Sequence, residues 1–205
     1  IAPQPASTVP ASTVPTASTV PTDSGLPARS GAPVPSGVPS ASPLVIRDAT
    51  ADDLYSILAI YNDAIVNGTA LWLDEPVDLA NRAAWLRAQQ EKNFPVLVAE
   101  VDGAIAGYAS YGLWREYSGF RNTLDDSIYL VAGQQGRGIG SALLGALIAH
   151  GRDAGFRVMI ADIESGNLAS IALHKKFGFV TAGVVPEVGT KFGAWLDLTV
   201  MRLAL

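Results

Sequence analysis

Apolar positions along residues 44–205 recur with two periods, and together they lay out a run of alternating elements. Leu44–Arg47 reads as a short strand. Thr50 then stands where a helix N-cap would, with Asp52 and Asp53 in the favoured first turn. Leu54, Ile57, Leu58, Tyr61 and Ile65 follow at helical spacing until Asn67-Gly68 ends the run. Asp78 is placed to cap a second helix reaching Lys92, with Trp85 and Leu86 on its buried side. Pro95–Glu100 and Ala104–Leu113 read as strands joined by the hairpin turn Val101-Asp102-Gly103. Residues 114–122, W-R-E-Y-S-G-F-R-N, break the pattern and read as a loop. Ser127–Val131 alternates again and predicts a strand, while Leu143, Leu144, Leu147 and Ile148 make Ser141–His150 a helix. A strand over Val158–Asp162, a helix over Asn167–Phe177 and strands from Val180–Val185 to Trp195–Leu203 complete the series. The order β-α-α-β-β-β-α-β-α-β-β predicts an α/β (α+β) domain, a single mixed sheet with helices on both faces.

Residues 1–43 are a different material. They hold ten of the thirteen prolines and two charges, Asp23 and Arg29, and repeat Ala-Ser-Thr-Val-Pro at 6–10, 11–15 and 17–21. Such a sequence supports neither a strand ladder nor a core, so a disordered or polyproline-like extension is expected ahead of one domain over 44–205. It has neither the basic start and apolar run of a secretory signal nor the arginines of a transit peptide, so a cytoplasmic protein is expected, without a membrane partner. A net charge of −5 and a pI near 4.9 argue against nucleic acid. No cysteine excludes disulfides, thiolate ligands and a cysteine nucleophile; with only His150 and His174, no metal centre is expected.

Candidate chemistry concentrates between the Ser127 strand and the following helix. Gln135-Gly136-Arg137-Gly138-Ile139-Gly140 is a glycine-rich turn into a helix start, where free amides and the dipole favour an anion. A Walker loop is excluded because no Gly-Lys-Ser/Thr follows. A dinucleotide fingerprint is excluded because Ser141 or Leu143 occupies the third glycine's place. What remains is Q-x-x-G-x-G, either a phosphate cradle or a tight strand-to-helix turn without a ligand.

That loop resembles the coenzyme A pyrophosphate loop of the GCN5-related N-acetyltransferases (GNAT). Asn167-Leu-Ala-Ser170-Ile-Ala-Leu173-His174-Lys-Lys-Phe177-Gly178-Phe179 is similar to a helix of the same superfamily, and I-R-D-A-T-A-D-D-L to its opening strand and helix. More narrowly, Y-N-D-A-I-V at 61–66, W-R-E-Y-S-G-F-R-N-T at 114–123 and V-G-T-K-F-G-A-W-L-D-L at 188–198 resemble the phosphinothricin and methionine sulfoximine/methionine sulfone N-acetyltransferases. The resemblance spans 44–205 and implies a mostly antiparallel mixed sheet whose central strand pair splays.

It also implies roles. The backbone at Ile128, Tyr129 and Leu130 would pair with the pantetheine of acetyl-CoA. Gln135 and the amides of Gly136, Arg137, Gly138, Ile139, Gly140 and Ser141 would hold its pyrophosphate, and Asn167 would bond the pantetheine as well as cap its helix. His174 would face the departing thiolate, against the plainer reading of a histidine lying along an amphipathic helix. Where the subfamily usually has Thr-Val-Glu-His-Ser-Val-Tyr-Val, this chain has Thr123-Leu-Asp125-Asp126-Ser127-Ile-Tyr-Leu, which gives Asp125 the base role. Val131-Ala132 and Gln134 depart from the usual residues beside the loop. Arg115, Glu116, Tyr117, Arg121, Asp125, Asp126 and Ser127 would form the acceptor site, with Arg82 a weaker, partner-facing contact. The expected activity is acetyl transfer to a small amino acid or analogue by direct amine attack, in a homodimer. The alternatives are another amine or a peptide N-terminus as acceptor, or a non-catalytic acyl-CoA-binding domain.

Overall fold

The computed structural model describes residues 43–205; the proline-rich stretch expected to be a disordered extension, Pro43 aside, lies outside the described residues. β1 (Val45–Asp48) leads through a capped turn into α1 (Leu54–Asn67). The cap is tied to the sheet: Asp53 accepts from the Thr50 amide at 2.8 Å and from Arg47 at 2.7 and 2.8 Å. The Arg47 hydrogen bond, outweighing burial, holds the Asp53 carboxyl down at about 2. α2 (Leu79–Glu91) starts as expected at Asp78, whose side chain accepts from the Asn81 amide at 2.8 Å. Asn62 explains part of the Y-N-D-A-I-V motif, since its amide both donates to and accepts from the Val77 backbone and pins the α1–α2 connection.

Then come β2 (Val96–Val101), β3 (Ala104–Leu113), β4 (Thr123–Leu130), α3 (Ile139–Asp153), β5 (Val158–Glu164), α4 (Leu168–Lys176), β6 (Val180–Lys191) and β7 (Ala194–Ala204). The element order is the one the periodicity predicts. β4 begins at Thr123 rather than Ser127, because β3 pairs with it along its whole length and overrides the low strand preference of two aspartates.

The seven strands form one sheet in the order β1-β2-β3-β4-β5-β7-β6. All neighbours are antiparallel except β4 and β5. That pair is joined only at Thr123↔Val158, Leu124↔Met159 and Asp125↔Ile160. Beyond it β4 stays with β3 as far as Leu130 and β5 stays with β7 as far as Glu164, so the two strands part.

Each face of the sheet carries a core. One packs α3 residues Leu143, Leu144 and Leu147 against Leu124, Met159 and Met201, all completely buried. The other packs Ile57, Ile60 and Leu86 of α1 and α2 against Val98 and Tyr108. Alternation along β4 sends Leu124, Ile128 and Leu130 to the first core and Tyr129 to the second. Asp125 and Ser127 therefore share the Tyr129 face, and Asp126 lies behind them.

Candidate active site

The parting of β4 from β5 opens two connected spaces. A cavity of about 940 Å³ is lined by Ile128, Tyr129 and Leu130 of β4, the loop at Gln135, Gly136, Gly138, Gly140 and Ser141, and Asn167, Ser170, Leu173 and Lys176. A niche of about 80 Å³ lies at the splay itself, among Asp126, Ser127, Asp162, Glu164, Asn167, Ser170 and His174. Ile128, Tyr129, Asn167 and Ser170 line both.

The loop owes its shape to its glycines. Gly136 and Gly138 have φ of +76° and +83°, the left-handed region that costs other residues most. Gly138 caps α3, and the first helical bond runs from the Ala142 amide to the Gly138 carbonyl at 3.0 Å. The preceding amides are those a helix start leaves without an intrahelical acceptor. Ile139 is buried in the core, so only its backbone can serve a ligand. Arg137 is exposed and bonds the Gln134 side chain, off the cavity wall. Asn167 caps α4 by accepting from the Ser170 amide at 3.1 Å, and it lines the cavity as well.

Asp125 lies at the last rung before the strands part. Its carboxyl is pushed up to about 8, first by burial, then by Asp162 and Asp126, with Arg115 acting the other way. Its Oδ1 is buried without a hydrogen-bond partner among the described residues.

Two expectations need correcting. Asp126, expected at the acceptor, lies on the opposite face from Asp125 and is bonded to His174, Oδ2 to Nε2 at 3.1 Å, with 2% and 4% of the two side chains exposed. His174, expected to present a free donor to the thiolate, has its other nitrogen 2.8 Å from the Ser170 carbonyl, which only accepts. Nδ1 therefore carries a proton, and both ring nitrogens are engaged. Burial opposes charge on this ring. The hydrogen bond and charge of Asp126, with the Ser170 carbonyl, outweigh it and hold His174 above its ordinary value, which favours the charged form of the ring.

The expected acceptor loop stays on the rim. Arg115, Glu116, Tyr117 and Arg121 are exposed, Tyr117 by 77%, and none lines either space. Trp114 anchors the loop: its indole donates to Asp162 Oδ2 at 3.2 Å, its ring packs against Phe120, and Arg115 stacks on it at 4.4 Å. Arg82, expected to face a partner, is buried with its guanidinium 3.9 Å over the Tyr61 ring, because its neighbours on that face are aromatic.

Sequence reasoning passed over three residues. Asp162 breaks an apolar strand, a signal visible in V-M-I-A-D-I-E. Trp72 and Lys191 gave no local signal: Lys191 donates to the Leu71 and Leu73 carbonyls, and Trp72 packs so tightly on Gly189 that any Cβ there would run into its ring. With Thr69 donating to Glu164 at 3.0 Å, these contacts hold the α1–α2 connection against β5 and β6. No helix among the described residues is long and apolar enough to cross a membrane.

Comparison with known proteins agrees with this geometry. A family model described as "Acetyltransferase (GNAT) family" matches residues 54–179. An L-methionine sulfoximine/L-methionine sulfone acetyltransferase of Pseudomonas paraeruginosa is 55% identical over 161 residues, 78% of this chain and 94% of the relative. A solved ribosomal-protein-alanine N-acetyltransferase from Brucella melitensis is 49% identical with a TM-score of 0.77, covering 78% of this chain and 99% of that one. A solved phosphinothricin acetyltransferase from Sinorhizobium meliloti, in complex with acetyl-CoA, is 38% identical with a TM-score of 0.77, covering 79% and 88%. The splayed strand pair, the glycine-rich helix start and these matches lead to one conclusion, that the chain belongs to the acetyltransferase (GNAT) family.

Proposed function

We propose that this protein transfers the acetyl group of acetyl-CoA to the α-amine of a small amino acid with a polar, glutamate-like side group, of the methionine sulfoximine, methionine sulfone or phosphinothricin type. The observation that carries the reading is a carboxyl, Asp125, pushed up to about 8 at the point where the sheet opens. So raised, the carboxylate is a far stronger base toward an ammonium than an ordinary aspartate with a pKa of about 3.9.

Acetyl-CoA fits the space: its pyrophosphate on the amides from Gly136 to Ser141, its pantetheine along Ile128, Tyr129 and Leu130, with Asn167 as a further partner. Ionised Asp125 takes one proton from the ammonium, and the amine attacks the thioester carbon. A backbone N–H of β4 receives the developing oxyanion. The C–N bond forms and the C–S bond breaks. The thiolate leaves with the electron pair and takes up the second proton lost by nitrogen. His174, bonded to Asp126 and held above its ordinary pKa, stands at the niche, and its ring favours that negative charge to the extent that it is protonated.

In this reading Ser127 lies near the amine and Arg115 and Arg121 close on the acceptor's carboxylate or side group from the rim. The enzyme is a cytoplasmic homodimer, the location following from its use of acetyl-CoA. The dimer is supported by the apolar surface of the last hairpin, where Val184, Val185 and Val188 are exposed and Phe192 and Trp195 are 65% and 67% exposed.

Gly138→Asn tests the cofactor loop. Asparagine tolerates the left-handed backbone, and no atom lies within 4 Å of the added Cβ. The variant is expected to fold normally yet bind acetyl-CoA at least tenfold more weakly in calorimetry. Undiminished binding would remove the loop from the site.

The name of the Brucella relative favours a second reading, a protein N-terminus as acceptor. The comparison that separates them is kcat/KM for methionine sulfone against an alanyl peptide and spermidine. Methionine sulfone is expected to lead, and Arg115→Ala to cost about tenfold with it alone. If the peptide or spermidine leads by tenfold, the amino-acid reading is lost and the acetyltransferase remains.

A further inference from the structure

Asp162 has no part in the chemistry above, yet its surroundings are those of a working group. It stands on β5 two residues past Ile160, the last partner of Asp125, and alternate strand positions share a face. Asp162 and Asp125 therefore share a face of the sheet, and Asp162 lines the niche where the strands part. The Trp114 indole fixes one oxygen of Asp162, Oδ2, at 3.2 Å. The other, Oδ1, is buried without a hydrogen-bond partner among the described residues, and so is Oδ1 of Asp125. Leaving two such oxygens unpaired on adjacent strands is costly, and the cost falls when they meet a proton or a cation.

We propose that Asp162 is a positioning residue for the transfer: clamped by the Trp114 indole, it sets a second carboxylate beside Asp125 and so keeps Asp125 a stronger base toward the acceptor amine. This deepens the reading of Asp125 as the base and rests on it. Two like charges on neighbouring strands cannot both ionise freely, so the one facing the acceptor holds its proton more tightly. The direction of the Asp125 displacement agrees: after burial, Asp162 is its largest cause.

The other groups bearing on Asp125 are accounted for. Asp126 lies behind the strand, bonded to His174. Arg115 acts in the opposite sense from the exposed rim. Tyr129 shares the face on β4, and Glu164 on β5 is held by the Thr69 hydroxyl at 3.0 Å and the Gly166 amide at 2.6 Å. Asp162 is thus the charge on that face whose second oxygen has no other employment.

The proposal separates two effects that one residue could have, since Asp162 also anchors the loop that begins at Trp114. Asp162→Asn removes the charge and keeps an oxygen for the indole; Trp114→Phe removes the indole N–H and keeps the charge. The measurement is the pH dependence of kcat/KM with methionine sulfone for wild type and both variants, with Asp125→Asn alongside. Asp162→Asn is expected to move the acidic limb to lower pH by about one unit and to lower the alkaline plateau several-fold, as a weaker base would. Trp114→Phe, which keeps the charge and loses only its clamp, is expected to move the limb less than Asp162→Asn does, whatever it does to the rate. If Asp162→Asn leaves the limb where it was, or if both variants move it equally, Asp162 acts only through the loop and the proposal is wrong. Full turnover in Asp125→Asn would instead overturn the base assignment itself, and this inference with it.

Discussion

Asp125→Asn is expected to lower kcat at neutral pH by about 10²- to 10³-fold while leaving the KM for acetyl-CoA within about twofold. With the cofactor along β4 and the loop, as proposed, an amide at 125 should disturb its binding little, while the proposed acceptor of the ammonium proton is lost. Some activity should return above pH 9, where free amine supplies itself. In the wild type kcat/KM should rise through a limb near 8, where the carboxyl ionises. The same variant makes a prediction of opposite sign for stability. Asp125 is raised in the folded state above the unfolded value of about 3.9, so its contribution is whole below pH 4 and is lost as pH climbs through about 8. The asparagine variant should therefore be more stable than wild type, by a margin that opens from pH 4 to 8. At about 1.4 kcal/mol per pH unit it reaches a few kcal/mol. Denaturant melts at pH 4, 7 and 9 would show it. A variant that is active at pH 7, or one no more stable at pH 9 than the parent, contradicts the burial on which the assignment stands.

Breaking the Asp126–His174 pair should cost the fold more than any change on the rim. Asp126→Ala leaves the buried His174 ring without its hydrogen-bonded partner, and breaking a buried pair from one side is a class of change worth about 3–5 kcal/mol. The pH dependence identifies the cause. His174 is raised in the folded state, so the pair's contribution is complete below about 6.5, the unfolded value, and fades as pH rises through the folded one. The loss should therefore be largest near pH 6 and smaller at pH 9. Equal losses at both pH values would mean that packing alone holds the site together. Turnover should fall as well, since both partners line the niche and His174 loses the contact that holds its ring there.

How much of this was legible beforehand depended on how local each cause is. Glycine spacing and the Asn167 cap act over a few residues, and the loop, α3 and α4 follow from them directly. Which way Asp125 and Asp126 point was not local. Two adjacent aspartates look alike in a sequence, and only the pleat of β4, set by pairing with β3, turns one to the Tyr129 face and the other toward α4. His174 lies 48 residues from its partner, and nothing near it announces a carboxylate. The rim arginines came from the resemblance of residues 114–123, but their distance from the cavities depends on the anchoring of Trp114 to Asp162 across 48 residues. Lys191 reads as an ordinary surface cation until its ammonium is seen capping the carbonyls of a loop 118 residues away.

The parted strands have one more consequence, for the life of the protein before it meets its cosubstrate. Past Asp125 and Ile160 the facing borders of β4 and β5 are two lengths of strand edge without a neighbour, inside the molecule rather than at its margin. Sheets ordinarily blunt such edges with charge, proline or a covering helix, because a bare edge recruits other chains. An extended pantetheine lying there, as proposed, covers that edge, so the free protein should aggregate sooner on heating than the same protein with acetyl-CoA bound.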